Sequence, residues 1–171
     1  TKEEILVAIE QGKLQYPFVQ KSRKGGYDGK GVQVIRHAGE LNRLMDTPSV
    51  VEDCIAVKEE LAVVACRNAD GQVRCYDAVR MDFVEGANLL DVLEFPAPVS
   101  TDLIQLAQQL ATQLISQLPL CGLLAVEFLI DGDNHIFINE VAPRPHNSGH
   151  QTIESCITSQ YEQHIRGILN W

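Results

Sequence analysis

The chain has 171 residues, 45 % of them apolar, enough for one domain or two small lobes with an ordinary core. Fourteen basic residues against 23 acidic ones give a formal net charge of −9. With no basic run or arginine-rich face, this excludes a nucleic-acid binder, whose affinity comes largely from neutralising phosphates, but not a small nucleotide held by a few lysines and a metal. No segment approaches the ~18 consecutive apolar residues of a membrane span, and there is no signal-peptide pattern. Cys54, Cys66, Cys75, Cys121 and Cys156 are odd in number and scattered, with no C-x-x-C pair, and read as reduced thiols of a cytoplasmic protein. The chain begins without methionine and already in a helical pattern, as a piece of something longer would.

In chain order, Ile5, Ala8 and Ile9 predict a short helix closed by Gly12, and residues 16–21 a strand. A glycine-rich loop, Lys24 to Gly31, leads to a second strand at 32–35. Residues 38–45 read as a short helix and 50–57 as a strand. Leu61 to Cys66 and Val73 to Val79 flank a hairpin turn at Asn68-Ala69-Asp70-Gly71, and the proline-bearing stretch 84–100 reads as irregular. Thr101-Asp102 caps a helix whose apolar face is Leu103, Ala107, Leu110, Leu114 and Leu118. A hairpin follows, and then a last helix with Ile153, Ile157, Tyr161, Ile165 and Ile168 on its apolar face. Antiparallel hairpins punctuated by single helices predict an α+β fold, not a doubly wound parallel sheet.

The hairpin carries the first functional signal. Gly122 to Ile130 is an apolar run with a lone acid, Glu127, and the next run, His135 to Glu140, ends on another. If Gly132 and Asp133 form a two-residue loop, residues whose numbers sum to 265 are opposed, so Glu127 faces Ile138 and lies diagonal to Glu140. Diagonal neighbours are about 7–8 Å apart at the backbone, within reach of one divalent cation for two glutamates. Otherwise the acids merely edge an exposed face. Immediately beyond, Asn139 to His150 is dense in groups able to bind a metal, a phosphate or a nitrogenous substrate.

The glycine loop carries the second. Gly25, Gly26, Gly29 and Gly31 let successive backbone N–H groups turn toward a common anion, with Lys21, Lys24 and Lys30 adding charge. It is neither a Walker loop nor a dinucleotide fingerprint, because strand follows strand. The competing reading is a plain hairpin turn at Asp28-Gly29.

Together these pieces resemble the ATP-grasp region of the 5-(carboxyamino)imidazole ribonucleotide synthase family of purine biosynthesis. The matching residues are Lys21 with Gly25 to Gly31, Val51 to Ile55 followed by Lys58 to Leu61, and above all the Pro-Arg-x-His-Asn-Ser-Gly-His run ending at His150. The resemblance covers essentially the whole chain. It implies a small lobe at about 14–57 and a larger one at 58–171. It further implies that Lys21 and the loop residues Gly26, Tyr27, Asp28, Gly29, Lys30 and Gly31 hold the phosphates of ATP. Glu52, Asp53, Cys54 and Ile55 would meet the adenine edge and Glu60 the ribose. Glu127 and Glu140 would hold magnesium, with Asn139 alongside. Asp28, Arg144 and His146 would be catalytic, and Tyr27, His146, Asn147, Ser148 and His150 would face the substrates.

The implied reaction is ATP-dependent carboxylation of 5-aminoimidazole ribonucleotide by bicarbonate through carboxyphosphate, by a cytoplasmic enzyme that is a homodimer at full length. Two departures stand out. Arg80-Met81-Asp82-Phe83 occupies the place where the family usually has Glu-Asn-x-His, and family members are roughly twice as long, so the isolated chain is expected to be inactive. The alternatives are a non-catalytic nucleotide-binding module and another ATP-grasp carboxylate–amine ligase; the Arg144 to His150 run speaks against the latter.

Overall fold

The computed structural model describes residues 1–26, 30–84 and 89–171. Two compact units are present, one formed by Thr1–Ile55 and the other by Ala56–Val84 with Leu90–Trp171. In the first, α1 (Lys2–Glu10) opens on a reciprocal cap, in which the Thr1 hydroxyl accepts the Glu4 N–H and the Glu4 carboxylate reaches back. Strands β1 (Phe18–Ser22), β2 (Val32–Ile35) and β3 (Ser49–Asp53) form an antiparallel sheet in the order β2-β1-β3. Ile5, Phe18, Ile35 and Leu44 are its core. The short helix expected over residues 38–45 is present as a 3-10 helix, Ala38–Arg43.

The second unit is built on β4 (Val57–Arg67), β5 (Val73–Cys75), β6 (Val79–Phe83), β7 (Leu90–Glu94), β8 (Gly122–Asp131) and β9 (Ile136–Ala142). Their order is β7-β6-β4-β8-β9, with β5 pairing the end of β4, and every pairing is antiparallel. The α+β class expected from the hairpin pattern is the class observed. Two local expectations are corrected. The run from Val73 to Val79 breaks at Tyr76 to Ala78 into two strands, because β5 and β6 pair with different parts of β4. The stretch expected to be irregular contains β7, an edge strand on β6 whose alternation is too weak to read.

Helix α2 (Thr101–Gln117) is capped by the Ser100 side chain, which accepts the Leu103 N–H, and not by Thr101 or Asp102. It buries Ala107, Ala111 and Ile115 against one face of the sheet, on Leu61, Val63, Leu124, Val126 and Phe128. Small residues at the closest approach let helix and sheet meet, with Leu103, Leu110, Leu114 and Leu118 packing around them. On this same face Arg80, opposite Leu61, pairs with Glu94 at 2.8 Å, Asp82 at 3.0 Å and Glu59 at 3.9 Å.

The last helical segment corrects the sequence reading most sharply. It is two helices, α3 (Thr152–Ser155) and α4 (Gln160–Leu169), and Ile153, Ile157, Tyr161, Ile165 and Ile168 are all exposed. The buried side of α4 is instead its polar and small one, Gln160 and Gly167. A Cβ at Gly167 would lie 2.6 Å from the Cys66 Sγ, 3.2 Å from the Arg67 carbonyl oxygen and 3.2 Å from the Gly122 Cα. The helix thus docks through backbone proximity, which leaves no room for the apolar stripe that periodicity would have placed there. Replacing glycine inside a helix normally stabilises it, but Gly167→Ala should destabilise this chain by about 1–3 kcal/mol. Ile165→Ser should change stability by less than ~0.5 kcal/mol. Thermal melts of the two variants check this, and the reverse ranking would mean that α4 docks by its isoleucine face.

Candidate active site

The acidic pair is set by two successive one-residue shifts in the β8–β9 hairpin. The loop is Gly132-Asp133-Asn134, one residue longer than expected, closed by Asp131 N–H to the His135 carbonyl at 3.2 Å with Asn134 at φ 63°. The Asp131 carboxylate stiffens it by accepting the Asp133 and His135 N–H groups, each at 2.9 Å. The longer loop makes Phe128 oppose Ile138, a register that, continued, would set Glu127 against Asn139 and turn Glu140 to the other face. A bulge between Glu127 and Phe128 adds the second shift, with Asn139 as the extra residue, and Glu127 stands directly opposite Glu140. The expected diagonal pairing with Ile138 as the opposed residue is thereby corrected.

Glu127 also opposes Ala62 of β4 and so projects from the sheet face opposite α2. Glu60, two residues back along β4, projects from the same face. Glu127 is 8 % exposed in a strand otherwise almost wholly apolar, an expensive position for a carboxylate unless a charge or donors meet it. His146 supplies one partner, its Nε2 lying 3.6 Å from Glu127 Oε1. One ligand atom from each of Glu127, Glu140 and His146 lies within 4.8 Å of the others. Two carboxylates at this spacing fit a hard divalent cation such as magnesium, which is held by one or two carboxylates and substrate phosphates. The imidazole nitrogen suits softer ions better and serves naturally as a partner to Glu127.

Around His146 the run is held by its own side chains. Ser148, 1 % exposed, places its Oγ 2.9 Å from His146 Nδ1, and its N–H donates to Asn147 Oδ1 at 3.0 Å. The Ser148 N–H also donates to His146 Nδ1 at 3.4 Å, so that nitrogen acts as an acceptor there. Ser148, expected to face a substrate, instead backs the imidazole. Arg144 and His150 are exposed, and Arg144 Nη1 donates to the Pro145 carbonyl at 3.0 Å.

In the first unit Lys21 Nζ pairs with Glu52 Oε2 at 2.7 Å, across β1 and β3. Glu52 therefore has a side-chain partner besides the backbone groups expected of it. Asp53 ends β3, and Cys54 and Ile55 follow it without regular structure. Gly31 has φ 83°, accepts the Ser22 N–H at its carbonyl (2.8 Å), and has no room for a Cβ beside Ser22 Oγ. A Cβ at Gly26 would lie 3.1 Å from the Lys30 carbonyl oxygen, so a side chain at either glycine would disturb the base of the loop. Tyr27, Asp28 and Gly29 lie outside the described residues.

In the second unit Glu60 is half-buried beside the apolar floor formed by Ala62, Val79 and Met81. Burial, reinforced by the Asp82 charge, raises its carboxyl above the ordinary range. Phe83 packs on that floor, while Arg80 is engaged on the opposite face. Sequence reasoning did not place His146 with the two acids, nor did it find the buried Gln160 and Thr152 behind the run; a glutamine opening a helix looks like a solvated residue.

The ATP-grasp domain model matches residues 1–161, and the chain belongs to the ATP-grasp family. It is 37 % identical over 172 residues to the N5-carboxyaminoimidazole ribonucleotide synthase of Bacillus subtilis, covering 98 % of this chain and 44 % of that protein. The phosphoribosylaminoimidazole carboxylase of Saccharomyces cerevisiae is 39 % identical over 161 residues, covering 92 % of this chain and 28 % of that one. Among solved structures, an ADP complex of an N5-carboxyaminoimidazole ribonucleotide synthetase superposes with a TM-score of 0.91 at 37 % identity, over 99 % of this chain and 45 % of that one. The Aspergillus clavatus synthase in complex with ADP and 5-aminoimidazole ribonucleotide gives 0.86 at 31 % identity, over 99 % and 44 %. The chain thus spans less than half the length of these relatives.

The raised Glu60 carboxyl has a stability consequence. Below the ordinary value of 4.5 Glu60 is protonated folded or unfolded and costs nothing; as pH rises through its elevated folded value, the unfolded chain ionises more readily and the fold loses stability. Glu60→Gln should therefore raise Tm at pH 7, with the gain shrinking toward pH 4.5. Melts across that range check it, and a gain independent of pH would contradict the burial argument.

Proposed function

We propose that this chain carries the ATP-binding and bicarbonate-activating machinery of an enzyme that carboxylates 5-aminoimidazole ribonucleotide to its N5-carboxyamino derivative. The observation that supports this most is the convergence of Glu127, Glu140 and His146 at the head of the Arg144 to His150 run. Lys21, Gly26, Lys30 and Gly31 bind the phosphates, Glu52 to Ile55 the adenine edge and Glu60 the ribose hydroxyls. Glu127 and Glu140, with Asn139 beside them, hold magnesium, which when bound offsets charge on the phosphate oxygens.

The chemistry follows from the weak electrophilicity of bicarbonate. A bicarbonate oxygen takes the γ-phosphoryl group as ADP departs, giving carboxyphosphate. The exocyclic amine of the ribonucleotide then attacks the carboxyl carbon, phosphate leaves, and the amine gives up a proton. Charge accumulates on phosphoryl and carboxyl oxygens, so cationic and N–H groups fixed in advance lower the barrier most. Lys21 and Arg144 are such groups, and His146 and Asn147 orient the acceptor. Carboxyphosphate hydrolyses readily, so the glycine loop also excludes water. Five free cysteines suit a reduced, cytoplasmic setting. The full-length protein is a homodimer in this proposal, and the exposed apolar side of α4 is a surface that a second copy or the rest of the full-length chain would cover.

A second reading is a nucleotide-binding module without turnover, because the resemblance sets Arg80 to Phe83 where the family usually has other residues, and Arg80 pairs there with Glu94, Asp82 and Glu59. Calorimetry with ATP should show binding that requires magnesium and lose that metal-dependent part in Glu140→Ala; ATP affinity indifferent to both would count against the site. ADP release by the full-length protein should depend on both bicarbonate and aminoimidazole ribonucleotide, while the 171-residue chain alone should release little, because an unanchored acceptor forfeits the positioning contribution. Binding without such dependence at full length would favour the second reading.

A further inference from the structure

We propose that Gln160 is a positioning residue that holds His146 against Glu127. This rests on the assignment of His146 and the acidic pair to the active site. Strand β9 ends at Ala142, and among the described residues no strand pairs with the chain that carries His146. His146 is nevertheless extended, at φ −136° and ψ 154°. An extended residue presents its N–H and C=O to the same side, where a neighbouring strand would take both. Here one side-chain amide reaches both: His146 N–H donates to Gln160 Oε1 at 2.9 Å, and Gln160 Nε2 donates at 2.7 Å to the His146 carbonyl, which also accepts the Gly149 N–H at 3.0 Å.

A primary amide offers a donor and an acceptor side by side in one plane without charge, whereas an ionised carboxylate only accepts and a guanidinium only donates. Gln160 is fully buried, so neither bond competes with water. The amide is fixed from behind as well. The Gln160 backbone N–H donates to Thr152 Oγ1 at 2.9 Å, and the Thr152 hydroxyl donates to the Gly149 carbonyl at 2.6 Å, which ties the first turn of α4 to the end of the same run. Gly149 leaves the space the amide occupies, since a Cβ there would lie 2.5 Å from Gln160 Oε1 and 2.7 Å from its Cδ.

The consequence reaches the site through the backbone. With N–H and C=O both pinned, the His146 Cα–Cβ direction is fixed, and Ser148 at Nδ1 sets the ring rotation. Nε2 is then aimed at Glu127. Gln160 itself touches neither acid in this arrangement and acts through His146.

The test is NMR on the whole chain, following the His146 amide and imidazole in the unmutated protein, Gln160→Met and Gly149→Ala, with Mn2+ alone as the probe. Exchange of the His146 amide should accelerate by at least about tenfold in Gln160→Met while core amides such as Val126 keep their rates. Mn2+ should broaden the His146 imidazole signals in the unmutated chain, and much less in Gln160→Met, whose Mn2+ affinity stays within a few fold because Glu127 and Glu140 remain. Gly149→Ala, which displaces the amide from the opposite side, should reproduce both effects.

A uniform rise in exchange across the chain with His146 broadening retained would mean a merely structural glutamine and overturn the proposal. Should neither variant fold, the unmutated chain still decides, because a His146 amide exchanging as fast as an exposed loop overturns the clamp. Failure of Mn2+ to bind the unmutated chain would instead overturn the metal assignment, and the exchange comparison would still judge Gln160.

Discussion

The register between β8 and β9 is the constraint on which the site depends. Side chains alternate faces along a strand, so any single one-residue slip in this hairpin would carry Glu140 away from Glu127. The three-residue loop makes such a slip, and the bulge at Asn139 makes a second one that cancels it in face while advancing the pairing. Two carboxylates opposed in a sheet repel, and one of them lies in a strand whose residues from Gly122 to Ile130 are otherwise apolar and mostly buried. That arrangement is tolerable where a cation or a proton donor meets the pair, which is the requirement that magnesium and His146 satisfy in the proposed mechanism.

A second theme is the use of buried glutamine to hold isolated backbone. In the first unit Gln20, fully buried, donates Nε2 to the Met45 carbonyl at 2.9 Å and accepts the Met45 N–H at 2.9 Å. Gln160 does the same to His146. In both cases a residue outside the strands is held at its N–H and C=O by one side-chain amide, and such groups are costly to bury without partners. At Met45 the result supports the end of a core segment; at His146 it supports a residue aimed at a carboxylate.

Much of this was legible in the sequence, and the parts that were not share a cause. The antiparallel α+β class follows from turns such as Asn68 to Gly71 and Asp131 to Asn134 between β-rich runs, which are local signals. The acids of β8 and β9 stood out because an apolar strand has little use for a lone glutamate. The bulge could not be read, because Asn139 fits either register locally and packing of both strands decides between them. Periodicity located the docking face of α2 but not that of α4, where Gly167 and Gln160 are the buried residues and closeness and hydrogen bonding replace an apolar stripe. Strand β7 escaped because prolines follow it and its alternation is slight.

Crystals grown with Mn2+ and a non-hydrolysable ATP analogue give the most direct examination of the central claim. An anomalous difference map should show a peak bridged by the Glu127 and Glu140 carboxylates. A map whose manganese sits only at the Asp131, Asp133 and His135 turn, with nothing between the two glutamates, would contradict the account.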